Sequence, residues 1–543
     1  MATTRYADLD MEAGSSSRGG TRAQPQPQAR GTWIAASTAC AMLAIFATAV
    51  AMVAVAERAS GQSSRVPEPS SLRASGPADK RLLWNMHWSK VFDPAVDTPF
   101  TTFRIPAISP CGRDCLLAFA EARMSHIDEG DIEVLVKRSD DRGITWGPAH
   151  VAVGNAAGVP NRPDTSRGQT TYGNVVPVYL AATGETVLVF AVNNTYVYTT
   201  RSRDGIVWEP ALEITESVRA PGWGWLAPGP GHGLEMRHGR YAGRLVVPFN
   251  HYLERSTVVQ TVTVEPSDPS DLRTWPRVRT TYTVTNPAAA PPRRHEAPAP
   301  EVTGTMEAVA TWTSLGVPQG LSPFEMRNPR SAVMISDDGG RSWRVGRDVP
   351  ALGGNEVQVA ELDTGELVAS FRVVSSLANG CRHFASSWDG GDTWTLRQQQ
   401  GEEEGDCVVV DPGCQGSLHA LGSWLVASGP GDKVERQNGT IYASADGGER
   451  WHVLGKIPVP PEDFQSAYSD IAVWPGELSV VPATPAASST PARAAGAKPL
   501  IAEPLGPGPA QIGVIYEFGD RHSATLAFAR YSVEVPSTSA VRY

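Results

Sequence analysis

The sequence predicts an all-β fold of the propeller type, built from repeated four-stranded units. A motif of the approximate form S-x-D-x-G-x-T-W, called the box below, recurs at residues 139–146, 336–343, 387–394 and 444–451. The chain of 543 residues is rich in glycine (52) and proline (44), which indicates many turns. Its 15 tryptophans supply large side chains for a core. Together these features do not fit a helical bundle, a coiled coil or a chain that is disordered throughout.

Each box has the composition of a tight turn. Serine and aspartate side chains accept hydrogen bonds from turn amides, and glycine adopts positive φ. One such turn in every 50–60 residues suits a propeller blade. A degenerate copy ends at Gly205 and Trp208, with Arg201 and Arg203 at the serine and aspartate positions. The long interval between Trp208 and Trp343 has room for two units. We expect the box residues to be structural.

The segment before the repeats predicts a membrane anchor. Residues 1–30 form a polar tail, residues 31–56 carry no charge, and residues 57–83 have the composition of a linker. Arginines precede the uncharged stretch, which favours a cytoplasmic amino terminus with the remainder luminal or extracellular. The alternative is a cleaved signal peptide, because Ala54-Val55-Ala56 resembles a cleavage site. In that case the protein would be secreted or lysosomal.

Charge and cysteine content exclude some partners. The net charge of −10 argues against a nucleic-acid binder. Cys111 with Cys115, and Cys407 with Cys414, are spaced for small-loop disulfides, which leaves Cys381 without a partner. Metal ligation is the weaker alternative for these cysteines, since no second cysteine pair or nearby histidine completes a tetrahedral set.

Two stretches of low complexity interrupt the pattern, at residues 286–300 and 482–510. Both are rich in alanine and proline, a composition that does not support a packed core. We expect both to be surface insertions that the fold tolerates losing.

One further motif is informative about the protein family. It is Phe103-Arg104-Ile105-Pro106, which lies just ahead of the first box. Together with the boxes it resembles the sialidase (neuraminidase) family. The resemblance covers roughly residues 84–535 and implies a six-bladed β-propeller. It also implies an enzyme that needs no metal and no cofactor.

The resemblance implies a carboxylate-binding site made of three arginines. Sialic acid carries a carboxylate on its anomeric carbon, and the planar guanidinium group binds carboxylates in a bidentate manner. Arg104, Arg372 and Arg436 match the family's three arginines in order and in spacing relative to the boxes. Glu517, in the segment Tyr516-Glu517, matches the glutamate that orients the first of them.

The catalytic groups also follow from the resemblance. An anionic nucleophile would be repelled by the substrate carboxylate, and sialidases use a tyrosine instead. Tyr468 matches that nucleophile, and Glu356 matches the base that deprotonates it. Asp128 resembles the loop aspartate that serves as acid and then as base. Asp131 is the local competitor, but its position at a strand start favours a capping role.

Further residues are expected around the pocket. Glu121, in Phe119-Ala-Glu-Ala-Arg123, matches a motif at the pocket rim. Asn250 and Tyr252 follow a strand that resembles one behind the pocket, and Asn250 departs from the tyrosine found in some animal relatives. His232 is expected either in the pocket lining or in a turn.

The resemblance therefore implies a retaining exo-α-sialidase acting on sialylated glycans of glycoproteins, glycolipids or oligosaccharides. Three alternatives remain: a trans-sialidase, a hydrolase of a related nonulosonic acid, and a propeller that only binds glycans or proteins.

Overall fold

The computed structural model describes fifteen stretches of the chain, which are residues 2–5, 83–155, 159–160, 162, 168–253, 257–265, 277–285, 304–311, 329–351, 353–373, 380–397, 407–460, 465–474, 510–519 and 524–533. Backbone alone is described for residues 2–5, 83–86, 253, 257–265, 277–285 and 304–311. The predicted span at 31–56, the linker at 57–82 and the insertions at 286–300 and 482–509 lie outside these residues. In the described part, no helix is both long and apolar enough to cross a membrane.

The described strands form seven antiparallel sheets, and six of them are the blades of a β-propeller. The first blade contains β3 (Thr102–Pro110), β4 (Leu116–Arg123), β5 (Ile132–Ser139) and β6 (His150–Val153). The second contains β7 (Tyr172–Leu180), β8 (Glu185–Val192), β9 (Tyr196–Ser202) and β10 (Leu212–Glu213). A short helix α1 (Thr215–Val218) follows.

The third blade contains an insertion. Its strands are β11 (Trp223–Pro228), β12 (Leu234–Glu235), β13 (Leu245–Leu253), β17 (Arg330–Ser336) and β18 (Arg344–Val345). Between β13 and β17 the chain forms β14 (Thr257–Glu265), β15 (Arg277–Thr285) and β16 (Gly304–Thr311), which make the seventh sheet with β1 (Ala2–Arg5). The interval from Trp208 to Trp343 therefore holds one blade and a separate sheet, and the expectation of room for two units is wrong.

The remaining blades follow in chain order. The fourth contains β19 (Gly354–Glu361), β20 (Leu367–Val373), β21 (His383–Ser387) and β22 (Thr395–Leu396). The fifth contains β23 (Ser417–Leu421), β24 (Trp424–Gly429), β25 (Thr440–Ser444) and β26 (His452–Lys456). In the sixth, β27 (Ser466–Trp474), β28 (Ala510–Phe518) and β29 (Thr525–Val533) are completed by β2 (Leu83–Phe92). Because β2 precedes the first blade and pairs with the last, it closes the ring.

The core lies between the blades, because each sheet buries both faces against its neighbours. Phe119 of the first blade and Phe190 of the second belong to one buried cluster. Phe103 of the first blade and Phe528 of the sixth belong to another. Apolar burial of this kind is the main stabilising term in the fold.

Each box is the turn between the third and fourth strands of one blade. Ser139, Ser336, Ser387 and Ser444 each accept a hydrogen bond from the glycine amide four residues on, at 2.7–2.9 Å. Each box aspartate accepts from the amide four residues on, at 2.8–2.9 Å. Trp146 packs on Phe528 and Trp451 on Phe384, in each case across to the preceding blade.

The degenerate box lies one residue from the predicted alignment. Ser202 Oγ accepts from Gly205 N at 2.8 Å, and Asp204 Oδ1 accepts from two turn amides. Arg201 and Arg203 therefore do not take the serine and aspartate positions. The copy lost one residue between its aspartate and its glycine, which the spacing alone did not reveal.

The disulfides correct one prediction. Cys111 is bonded to Cys115, as predicted. Cys381 is bonded to Cys407, whereas Cys414 is a buried free thiol, so the predicted pair of Cys407 with Cys414 is wrong. The physical reason is that Cys414 faces inward and packs against Ile105 and Tyr468, while Cys407 faces the start of β21.

Candidate active site

Four inner strands contain a β-bulge near their first residues, all at the same end of the ring. The register shifts between Arg104 and Ala107, between Gly173 and Val176, between Gly354 and Val357, and between Ser466 and Ser469. A bulge places two residues opposite one and redirects a side chain. Here the bulges contain or adjoin Arg104, Glu356 and Tyr468, and they place these three predicted residues in one pocket.

Tyr468 and Glu356 form a direct pair. The Tyr468 hydroxyl donates to Glu356 Oε1, and only 6% of Tyr468 is exposed. Burial, followed by the Glu356 charge, raises the pKa of Tyr468 well above its ordinary value. Tyr468 is therefore a neutral phenol at any physiological pH, and it becomes a nucleophile only if Glu356 removes its proton.

Two guanidinium groups lie over the Tyr468 ring. The central carbons of Arg104 and Arg436 are 5.2 and 5.5 Å from its centroid. The third arginine, Arg372, donates to the Tyr468 hydroxyl at 3.4 Å and to Glu356 Oε2 at 2.7 Å. The structure thus brings all three predicted arginines to the predicted nucleophile.

Glu517 holds the side chain of Arg104 in position. Its carboxylate oxygens lie 3.3 Å from Nε and Nη2 of Arg104. It also accepts from the Ile105 amide at 2.8 Å, at a residue whose φ of 56° is unusual for a β-branched side chain. Burial alone would lower the pKa of Arg104, but the charge of Glu517 outweighs it and raises that pKa.

Arg372 and Arg436 are held less completely. Within the described stretches, the buried Nε of Arg372 has no hydrogen-bond partner. Arg436 donates to the Gly413 carbonyl at 3.3 Å. Burial raises the pKa of the nearby Cys414 thiol to about 11. The thiol is therefore protonated and serves as apolar support beneath the pocket.

Asp128 lies in the loop before β5, and 70% of its side chain is exposed. Its Oδ1 accepts from Arg123 at 2.7 Å and from Arg104 at 3.2 Å. Burial would raise its pKa, but the charges of Arg123 and Arg104 outweigh it, so the pKa lies below its ordinary value. Asp131, the competitor, accepts instead from the Thr170 amide and from Gln169, which is a structural role.

Glu121 does not lie at the rim. It is 2% exposed, and both of its oxygens are engaged, one by Arg123 and the other by the Asn174 amide. The motif identified the right strand, but Arg123 is the residue that reaches the pocket loop. Arg123 was not recognised from the sequence, although it stands in the same motif as Glu121.

Asn250 and Tyr252 are also buried rather than at the surface of the pocket. The Asn250 amide donates to the Ala227 carbonyl at 3.2 Å. Tyr252 stacks on Trp225, and its hydroxyl accepts from Asn355, the neighbour of Glu356, at 3.2 Å. The structure places Tyr252 behind the Glu356 bulge, where it supports that bulge.

A buried polar network, which the sequence analysis also missed, lies below Tyr468 on the axis. Asp470 accepts from the Ile108 amide at 2.9 Å and from Ser417 at 2.8 Å, and it pairs with His232 at 2.7 Å. A Cβ atom at Gly231 would lie 2.7 Å from Gln358 Nε2, which is a clash, and 3.2 Å from Asp470 Oδ1. His232 is therefore part of the buried network around Asp470. In the sequence, the hint of this network was the aspartate that follows Tyr468-Ser469.

In the part of the chain that the structure describes, no cluster of three histidine, cysteine or carboxylate side chains is arranged to bind a metal ion. The chemistry available at the site is that of a phenol–carboxylate pair, three guanidinium groups and one exposed carboxylate.

Comparison with known proteins gives a family. A family model described as the BNR repeat-like domain matches residues 114–297 and 289–480, more than half of the chain. A sialidase of Micromonospora viridifaciens is 25% identical over 389 residues, covering 65% of this chain and 46% of the relative. Sialidase-3 of Rattus norvegicus is 25% identical over 445 residues, covering 69% of this chain and 85% of the relative. The matched region spans about half the length of the first relatives.

Solved structures share the fold. The Hadza microbial sialidase Hz136 superposes with a TM-score of 0.50 at 20% identity, covering 79% of this chain and 65% of that one. A leech intramolecular trans-sialidase bound to 2,7-anhydro-Neu5Ac gives 0.51 at 14% identity, covering 82% and 70%. These likenesses establish the six-bladed propeller.

Proposed function

We propose that this chain, which belongs to the sialidase family with BNR (box) repeats, is a retaining exo-α-sialidase that removes terminal sialic acid from glycoproteins, glycolipids or oligosaccharides. The observation that carries the proposal is the buried Tyr468–Glu356 pair with three guanidinium groups around it. A phenol paired with a carboxylate is the nucleophile–base arrangement expected for an anomeric carbon that itself carries an anion.

Recognition in this proposal is electrostatic. The chain has a net charge of −10, yet Arg104, Arg372 and Arg436 converge on one tyrosine. Three guanidinium groups supply planar, permanently charged donors for one carboxylate. The positive charge that an acidic sugar requires is therefore concentrated where the nucleophile stands.

In the first step, Tyr468 attacks the anomeric carbon and its proton passes to Glu356. The glycosidic bond breaks as Asp128 gives a proton to the leaving oxygen. In the second step, Asp128 takes a proton from water, whose oxygen attacks the same carbon. The tyrosyl bond then breaks, and the phenol recovers its proton from Glu356. Two displacements retain the anomeric configuration.

The test is hydrolysis of a fluorogenic 4-methylumbelliferyl α-sialoside by the purified full-length chain. Wild type should release the fluorophore, and Tyr468→Phe should lose most of the turnover, by about 10²-fold or more. Tyr179→Phe, a change on inner strand β7 away from the site, should turn over as wild type does.

A wild-type chain that is inert on sialosides and on the deaminated analogue would refute the enzymatic proposal. If it binds them without cleaving them, the propeller is a binding module. Transfer of the sugar to an added galactoside in place of water would identify a trans-sialidase.

A further inference from the structure

Asp128 bridges two arginines through a single oxygen atom. Its Oδ1 lies 2.7 Å from Arg123 Nη1 and 3.2 Å from Arg104 Nη1. Its side chain is 70% exposed, whereas those of Arg104 and Arg123 are 14% and 3% exposed. The carboxylate is thus an exposed group that contacts two largely buried cations.

The donors of Arg104 are divided between two carboxylates. Glu517 occupies the edge formed by Nε and Nη2, with both contacts at 3.3 Å. Asp128 occupies Nη1 at the other end. Because Glu517 is buried and also bonded to the Ile105 amide, it is not displaced easily. The end of Arg104 that Asp128 covers is the end that remains for a ligand carboxylate.

We propose that Asp128 covers the free end of Arg104 in the ligand-free protein, and that the carboxylate of an incoming sialic acid displaces it onto Arg123 alone. The inference rests on the proposed function, since it assigns the ligand carboxylate to Arg104. It makes Asp128 a competitor of the substrate before it becomes the acid.

Arg123 is suited to retain the displaced aspartate. It is fixed by Glu121 at 2.5 Å, and Glu121 is in turn fixed by the Asn174 amide at 2.8 Å. Arg123 also donates to the Ile127 carbonyl at 3.3 Å, so it holds the loop as well as the side chain. Arg123 is therefore a positioning residue that keeps Asp128 near the pocket after Arg104 is taken.

Displacement changes the proton affinity of Asp128. Asp128 faces Arg123 from β4, Arg104 from β3 and Arg436 from the loop before β25, with Glu129 and Asp131 on its own loop. Loss of the Arg104 contact and arrival of a second carboxylate both favour the protonated form. Binding of the sugar should then be accompanied by protonation of Asp128. This is the proton that Asp128 gives to the leaving oxygen in the first step.

The experiment measures proton uptake when sialic acid binds to the full-length chain. Calorimetric titrations at about pH 5.5 in two buffers of different ionisation enthalpy give the number of protons bound per ligand. Wild type should take up close to one proton. Asp128→Asn should take up none and should bind sialic acid about two- to fivefold more tightly, as expected when one exposed ion pair no longer competes. Glu129→Gln, the matched charge removal on the same loop, should behave as wild type.

Arg123→Lys gives a second readout. A lysine lacks the planar set of donors with which the Arg123 guanidinium binds Glu121 and Asp128 together. We therefore expect kcat to fall by about tenfold while the affinity for sialic acid changes little. An equal loss in kcat and in the affinity for sialic acid would assign Arg123 to binding and overturn its positioning role.

Sialic acid binding without proton uptake in wild type would overturn the displacement, even if the chain hydrolyses sialosides. Uptake that persists in Asp128→Asn would overturn the assignment to Asp128. Absence of binding would remove the proposed function and this inference together.

Discussion

Arg104 illustrates how its neighbours hold a single charged residue of the candidate site in position. Its guanidinium is held by Glu517, and the same carboxylate holds the strained backbone at Ile105. Removing the Glu517 charge therefore loosens both the arginine and the bulge that presents it.

Glu517→Gln should lower kcat/KM for a sialoside by about 10- to 100-fold, because a hydrogen bond to a charged group contributes about 1.5–3 kcal/mol. Steady-state kinetics on the fluorogenic substrate measures it. Glu366→Gln is the matched control, since Glu366 pairs with Arg397 at 2.6 Å outside the pocket and should leave kcat/KM unchanged. Equal losses in the two variants would contradict the assignment.

The sequence predicted the identity of the main site residues but not all of their partners. Arg104, Arg372, Arg436, Glu356 and Tyr468 were identified from motifs, and the structure brings them together. Glu121 was placed at the rim because a motif does not state which way a strand residue faces. Cys407 was paired with Cys414 because proximity in sequence was the only guide, whereas the true partner, Cys381, lies 26 residues away.

At the scale of elements, the bulges and the boxes have separate tasks. The bulges lie at the ends of the inner strands where Arg104, Glu356 and Tyr468 stand, and the boxes lie in the turns between outer strands. The sequence displays the boxes because their turn chemistry is local. It does not display the bulges, since an extra residue in one strand is visible only against its partner.

Asp389→Ala tests the structural role of a box. The change removes bonds to the Thr393 amide at 2.8 Å and to its hydroxyl at 2.5 Å. The free energy of unfolding should fall by about 1–2 kcal/mol with KM unchanged, as for loss of a capping side chain. Thermal or denaturant unfolding measures it, with the exposed turn residue Asp363→Ala as control. A changed KM with unchanged stability would assign the box to the site.

For the whole molecule, closure of the ring depends on one strand from before the first blade. β2 pairs with β29 along its length, and Trp88 donates to the Tyr516 hydroxyl at 2.7 Å within the sixth blade. The family resemblance predicted six blades, but it did not predict which strand closes them. Closure is a long-range pairing that leaves no local pattern.

Deleting residues 1–92 should lower the unfolding temperature by more than 10 °C or abolish folding, because it exposes the edge of β29 and the apolar groups under Phe92. Deleting residues 1–82 is the control and should leave the unfolding temperature close to that of the full chain. Equal stability of the two truncated chains would show that β2 is dispensable.

Acid should destabilise the propeller through two histidines. Burial, then His232, lowers the pKa of His419 to about 3, and burial, then Arg382, lowers that of His383 to about 4. Between pH 6.5 and about 4 the unfolded chain binds protons that the folded chain does not. The free energy of unfolding therefore has its full value above pH 6.5 and decreases as the pH falls. The slope is at most about 1.4 kcal/mol per pH unit for each histidine.

Unfolding temperatures of His419→Gln and His383→Gln across this range should vary less with pH than those of wild type. The exposed His452→Gln should follow wild type. Parallel curves for all three variants would exclude both histidines as the cause.

Two predictions concern segments outside the described residues. Removal of residues 484–508 should leave folding and turnover intact, and loss of folding would contradict the view of that stretch as an insertion. Residues 31–56 should retain the chain in membranes after alkaline carbonate extraction, whereas release into the supernatant would favour the cleaved signal peptide.

The central claim is that Tyr468 attacks the sugar and forms a covalent intermediate with it. The most direct measurement is mass spectrometry of the protein inactivated with 2,3-difluorosialic acid. Its fluoride at carbon 2 leaves as the covalent bond forms, and its fluorine at carbon 3 slows hydrolysis of that intermediate. The account predicts one sugar per chain, located on the peptide that contains Tyr468 and absent from Tyr468→Phe. A label on Glu356 or Asp128, or unlabelled enzyme that still turns over and forms the inverted anomer first, would contradict it.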